Sequence, residues 1–281
     1  YMFEEVIDQL LKGHDTNTIL VAFMKKFTKV VSLMLAAILM MALCTACGGD
    51  SKKDDSTITF GTNAEFPPFE YVTAKGVIGE FDGIDMAIAK QIGEDNGMEA
   101  KIENMEFDSL LLALENGQVD AVIAGMTITD EKKDAVDFSK PYYTAKQVMI
   151  VKEDSDIQKA SDMADKKIVV LQGFTGETCV NEMGYKYESF KKGTEAIMEL
   201  VNGKCDVVVI DSATAEKYVK DNEGLKIVED NDAFEAEEYG IAVKKGNTEL
   251  LDKINKSLDK MMEDGTISEL SAKYAESSDA E

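Results

Sequence analysis

Short uninterrupted apolar runs alternate with amphipathic stretches along most of this chain. Thr57–Thr62, Val119–Ala124, Lys167–Leu171, Asp206–Ile210 and Tyr239–Val243 have the length and β-branched content of buried strands. Between them, residues 85–94, 107–116, 176–183, 194–201 and 212–220 place apolar side chains at helical spacing. A further helix from Thr248 to about Asp264 gathers Leu250, Leu251, Ile254, Leu258, Met261 and Met262 on one face and stops at Gly265. Strand and helix in alternation imply parallel sheets flanked by helices.

The stretch Ala121–Lys146, AVIAGMTITDEKKDAVDFSKPYYTAK, organises the rest. It leaves a buried strand, breaks at Gly125 and sets Thr127, Thr129 and Lys132 just past the strand's carboxyl end, where open α/β sheets bind ligands. Asn63, Thr175 and Asp211 also follow predicted strands within a few residues, so four strands direct polar groups to one rim. Thr175 and Gly176 begin a helix whose free amides favour an anion, while Asp211 supplies the opposite sign. Such a rim suits a zwitterion. Asp211 could equally cap the helix that follows it, Lys132 could be a solvated surface lysine, and Asn63 could be a turn residue.

The amino-terminal fifth has a different character. Residues 24–47 carry Lys25, Lys26 and Lys29, an apolar run from Val30 to Leu43 too short to span a bilayer, and the sequence CTAC, which resembles a lipobox ending at Cys47. A lipoprotein signal peptide over 24–47 is therefore expected, with Cys47 lipidated and the product held on the outer face of the bacterial cytoplasmic membrane. Cys44 stands where the lipobox usually has leucine. Residues 1–23 precede this signal and are expected to be an overlong gene reading. Residues 48–56, GGDSKKDDS, hold no large apolar side chain and should tether lipid to domain.

Composition narrows the function. The 281 residues are 44% hydrophobic, enough for one large or two modest domains. With 54 acidic residues and 30 basic ones, the formal charge of −24 disfavours nucleic acid and anionic membrane surfaces. Every basic residue is lysine, so no guanidinium fork is available for a carboxylate. The single histidine is His14, which leaves the predicted domain without a usual general base, and neither a metal nor a cofactor is expected. Cys179 and Cys205 are expected to be free thiols.

Several motifs in order, GTNAEFPPFEY from Gly61, GIDMAIAKQIG from Gly83, FDSLLLALENGQVDAVIAGMTITDEKKDAVDFSKPYY from Phe107, VVLQGFTGE from Val169 and GKCDVVVIDSATA from Gly203, resemble those of the amino acid-binding (family 3) solute-binding proteins of ABC importers. The resemblance implies the type II periplasmic binding protein fold, an α/β architecture of two lobes joined by two crossing strands. One lobe would comprise 57–144 and 239–274, the other 148–234, with hinges near 144–147 and 234–238. It implies a monomeric, non-enzymatic receptor delivering a free amino acid to a membrane permease. By the same resemblance, Lys132, Thr127 and Thr175 would hold the ligand's α-carboxylate beside Gly125, and Asp211 its ammonium. Phe66 and Phe107 would flank the side chain and Asn63 would face its end. The family's arginine is replaced here by Lys132. Core packing remains the alternative for the two phenylalanines. With Asn63 at the side-chain end, a polar uncharged or moderately apolar amino acid fits, unless Glu65 turns inward and favours lysine or arginine. A cyclohexadienyl dehydratase-like enzyme and a ligand sensor share the fold and stay open as alternatives.

Overall fold

The computed structural model describes residues 56–276. The expected extension, signal peptide, Cys47 and tether up to residue 55 lie outside the described residues. Among the described residues no helix is long and apolar enough to cross a membrane.

The chain begins with β1 (Thr57–Thr62), a small antiparallel sheet of β2 (Glu65–Phe66), β3 (Glu70–Val72) and β4 (Phe81–Asp82), then α1 (Ile84–Asp95) and β5 (Glu99–Asn104). A 3₁₀ turn at Phe107–Ser109 leads into α2 (Leu110–Glu115), followed by β6 (Ala121–Val122), α3 (Asp130–Ala135) and β7 (Val136–Phe138). The long β8 (Tyr143–Lys152) carries the chain into a second set: β9 (Ile168–Leu171), α4 (Thr175–Glu182), β10 (Tyr187–Phe190), α5 (Gly193–Val201), β11 (Val207–Asp211), α6 (Ser212–Asp221) and β12 (Leu225–Val228). It returns through β13 (Ala236–Tyr239) to β14 (Ala242–Lys244), α7 (Thr248–Glu263) and α8 (Thr266–Glu276).

Two sheets result. The first runs β5-β1-β6-β14-β7 and the second β10-β9-β11-β8-β12. Among the described residues, the only strands passing between them, β8 and β13, pair antiparallel with each other, Ala236 opposite Lys146 and Tyr239 opposite Tyr143. The apolar runs earn their place by burial: Val207–Ile210 and Ile168–Leu171 are at most 2% exposed. Each such side chain contributes roughly 1.5–3 kcal/mol relative to exposure.

The expected parallel sheets each carry antiparallel strands as well. β14 is antiparallel to both β6 and β7, and β8 is antiparallel to β11 and β12. A chain that crosses between sheets twice must return against the direction of its neighbours. Tyr239–Val243 is likewise two elements, because Tyr239 pairs with β8 and Ala242 with β6 and β7. Gly240 makes the passage possible, since a Cβ there would meet the Ile128 side chain at 2.8 Å. The 119–124 strand contracts to Ala121–Val122, although Ile123 and Ala124 stay fully buried as the chain turns. On α7, Ile254, Leu258 and Met261 are buried as the pattern demands, Leu250 and Leu251 pack partly, and Met262 is 41% exposed. Ser257 completes the buried face and accepts from Asn96 Nδ2 at 3.3 Å.

Candidate functional site

The carboxyl ends of β6 and β11 and the amino terminus of α4 meet between the two sheets, and the pairing of β8 with β13 supplies the floor. Gly125 turns the chain out of β6 with φ +52°, a conformation that favours glycine, and a Cβ there would approach the Phe66 ring to 3.1 Å. Its N–H donates to Asp85 Oδ2 at 2.7 Å. Tyr142 donates its hydroxyl to the same oxygen at 2.9 Å. Asp85 and its neighbour Glu70 are fully buried. Burial pushes the Asp85 carboxyl up to about 6 against these hydrogen bonds, and pushes Glu70 well up too, with Asp85 adding to the effect. Asp85 fixes the turn from behind.

Beyond the turn, Thr127 is 6% exposed. Its hydroxyl donates to Glu237 Oε2 at 2.6 Å and accepts from the Thr175 hydroxyl at 2.8 Å, a link between the two lobes. Thr129 does not face this cluster as a free hydroxyl: it caps α3 by accepting from the Lys132 N–H at 3.2 Å. The cap orients Lys132 back over the turn, where Nζ donates to the Thr127 carbonyl at 3.2 Å. Burial pulls the Lys132 ammonium downward, with Glu237, Glu131 and Asp211 opposing that pull. It is not a solvated surface lysine.

Asp211 ends β11 at the N-cap position of α6, yet its side chain makes no capping bond. Instead, at 3% exposure, it accepts from the Tyr239 hydroxyl. Burial raises its carboxyl well above the usual range and the nearby Glu237 raises it further, while Tyr239 and Gln147 work the other way. Gln147, from β8, also donates Nε2 to Glu237 Oε1 at 2.6 Å. Glu237 therefore joins both halves of this polar cluster. Nothing in the run EAEEYG distinguished it from surface acids except its position two residues before buried Tyr239, the same face of a strand.

At the other end stand the aromatic residues. Phe66 is fully buried and Phe107 is 8% exposed. Between them lies a third ring, Phe174, stacked on Phe107 at 3.9 Å between centroids and tilted against Phe66 at 4.9 Å. Asn63 is also buried, and its Nδ2 donates to the Met105 carbonyl at 2.9 Å. It borders a cavity of about 390 Å³ lined also by Glu65, Asn104, Glu106, Lys191 and Lys192. Glu65 lies at this rim, ion-paired with Lys192 at 2.9 Å, and Lys191 faces Glu106 at 3.6 Å. Both pairs join a residue that precedes β8 to the segment between β10 and α5.

The candidate residues thus fall into a polar cluster of Thr127, Lys132, Thr175 and Asp211 and an aromatic cluster of Phe66 and Phe107, with Asn63 at the outer cavity and Gly125 turned inward. The readings missed Glu237, Gln147, Tyr239 and Phe174. Cys179 and Cys205 are free thiols, and burial pushes both up to about 11. Among the described residues, no group of three His, Cys, Asp or Glu is disposed to hold a metal.

Residues 58–277 match the family model described as bacterial extracellular solute-binding proteins, family 3. The arginine-binding extracellular protein ArtP of Bacillus subtilis (strain 168) is 35% identical over 250 residues, covering 86% of this chain and 96% of that one. Among solved structures, a mutant of ArgBP from T. maritima has 39% identity and TM-score 0.72, covering 80% of this chain and 97% of its own. An ancestral arginine-binding protein bound to glutamine has 43% identity and TM-score 0.72, covering 78% and 97%. Two lobes joined by two crossing strands are the type II periplasmic binding protein fold, and the chain belongs to the amino acid-binding extracellular solute-binding proteins of family 3.

Proposed function

We propose that this protein is the lipid-anchored substrate-binding component of an ABC importer, closing two lobes on one free amino acid. The observation that carries the reading is Asp211, a buried carboxyl that declines the capping role its position offers and faces a cluster built from Lys132, Thr127 and Thr175. An α-ammonium would restore full charge to Asp211. An α-carboxylate would take the donors of Thr127, Thr175 and Lys132, displacing the internal acceptor Glu237, with the amino terminus of α4 adding its dipole. Phe66 and Phe107 would bound the side chain, with Asn63 beyond the rings.

The lobes are taken as 57–144 with 239–274, and 148–234. They would swing on 144–147 and 234–238, and the cross-lobe contacts support reading this arrangement as a closed one. The relatives include proteins named for arginine, and one structure is titled as bound to glutamine. For this chain a polar uncharged or moderately apolar amino acid fits better. Asn63 is neutral, and the nearby carboxylates Glu65 and Glu106 already face lysines. The dehydratase alternative finds little support where the described domain holds neither histidine nor arginine.

A thermal-shift screen of the common amino acids tests the core of this reading. Ligand at a hundredfold over its Kd stabilises by about 2.7 kcal/mol. A protein of this size moves ~2–4 °C per kcal/mol. No response to any amino acid would remove the receptor reading. Mass spectrometry of the mature amino terminus tests the anchor separately: lipid on Cys47 is expected, and loss of membrane attachment in Cys47→Ala.

A further inference from the structure

Phe174 breaks a local rule. It holds the N-cap position of α4, where a small polar side chain normally satisfies a free helix amide, and it makes no such bond. The loop before it is nonetheless tightly specified. Gly173 stands at φ +80°, and its N–H donates to Glu177 Oε2 at 2.7 Å. The Phe174 N–H donates to the Leu171 carbonyl at 3.2 Å, while its own carbonyl accepts from the Glu177 N–H at 3.0 Å. The ring is thus carried on a fixed backbone. It is 5% exposed, and its aromatic partners Phe66 and Phe107 both belong to the other lobe. A position that forgoes its cap for a contact between lobes is where function is expected.

We propose that Phe174 is a specificity-determining residue that limits the length of the amino acid side chain this cleft accepts. The proposal rests on the receptor reading and on Phe66 and Phe107 flanking the ligand. With the Phe174 ring stacked at 3.9 Å on Phe107 and 4.9 Å from Phe66, the space between those rings is already filled from the lobe that closes over it. A short side chain ends before that space. A long one, such as that of arginine or lysine, must expel the ring while the lobes close, losing both stacking contacts and straining a loop pinned through Gly173 and Glu177. Asn63 beyond the rings offers no carboxylate in return. The chain should therefore discriminate against long cationic amino acids.

Titration calorimetry with alanine, serine, asparagine, arginine and lysine decides the matter, using wild type, Phe174→Ser and Phe174→Leu, each checked for a cooperative melt. Wild type should bind at least one of the shorter amino acids at least tenfold more tightly than arginine or lysine. Phe174→Ser should shift that ratio at least tenfold toward the long side chains, and Phe174→Leu, which keeps apolar bulk, should retain the wild-type order. Wild type that binds amino acids, with the same ratio in Phe174→Ser, would overturn the role of Phe174 and leave the receptor reading intact. A wild type that already prefers arginine would also overturn it. Wild type that binds none of these five, and responds to no other common amino acid in the thermal-shift screen, would overturn both.

Discussion

The two ends of the cleft are built from different materials. At the polar end, single charged or hydroxyl groups from separate elements, Lys132, Thr127, Thr175, Asp211 and Glu237, engage internal protein partners. At the aromatic end, Phe66, Phe107 and Phe174 make nondirectional contacts, and the surrounding charges pair across an open rim. A buried charge cannot be replaced by water, whereas a ring contact can be traded for another apolar contact. The polar end should therefore decide whether an amino acid binds, and the aromatic end which one.

The sharpest way to break this division is Asp211→Ala. Stripping a ligand ammonium of its partner in a dry site should weaken binding by ~2–5 kcal/mol. Calorimetry that finds affinity within a factor of three of wild type would move the ligand elsewhere.

The acids behind the polar end give a large effect on stability. Asp85 holds its proton up to about 6 in the folded protein, against an ordinary 3.8. The folded state therefore binds that proton more tightly than the unfolded chain. The resulting stabilisation is complete below pH ~4, fades as pH rises through about 6 and is absent above, a span of roughly 3 kcal/mol. Glu70 and Asp211 act in the same direction. Carboxylates held low by partners, such as Asp137 beside Gly246 and Lys245, lose their contribution only at lower pH. Tm without ligand should be higher at pH 5 than at pH 8, with a shallower slope in Asp85→Asn. A Tm that climbs steadily from pH 5 to 8 would contradict the assignment.

Lys132→Ala should weaken binding less than the Asp211 change, by about 1.5 kcal/mol, because an ammonium meets a carboxylate as a point charge while Thr127, Thr175 and the helix amides remain. An effect larger than that of Asp211→Ala would reverse the order of the two poles. The rim pair Glu65–Lys192 is half exposed, so Lys192→Met should change affinity by only ~0.5 kcal/mol, and less at high salt. A salt-independent tenfold loss would show that the rim takes part in binding directly.

Much of this arrangement was legible in the chain because buried strands such as Val207–Asp211 carry no polar interruption, and their ends deliver Asp211 and Gly125 to one rim. Edge strands were not. In β5 the sequence EAKIEN is largely exposed, and only Ala100 and Ile102 pack inward, too short an alternation to announce a strand. Of β8, only the crossing segment near 144–147 was expected, and that from the family resemblance: its first half, YTAKQ, is polar, and only its second half joins a buried sheet. Glu237 and Phe174 were invisible for a deeper reason: each owes its role to a partner from another part of the chain, Thr127 for one and Phe107 for the other. Local pattern carries no record of such pairings.

The pairing of β8 with β13 has a mechanical consequence. Two crossing strands that share a ladder from Tyr143 opposite Tyr239 to Lys146 opposite Ala236 behave as one ribbon. A ribbon bends or twists readily but resists having its strands drawn apart, so opening should follow a narrow path instead of a loose wobble. The ladder amides should stay protected from hydrogen exchange in the open and closed states alike, while the amides around Thr127 and Thr175 respond to ligand. The hinge would then be among the most persistent backbone in the molecule, with motion arising from rotation spread along an intact ribbon.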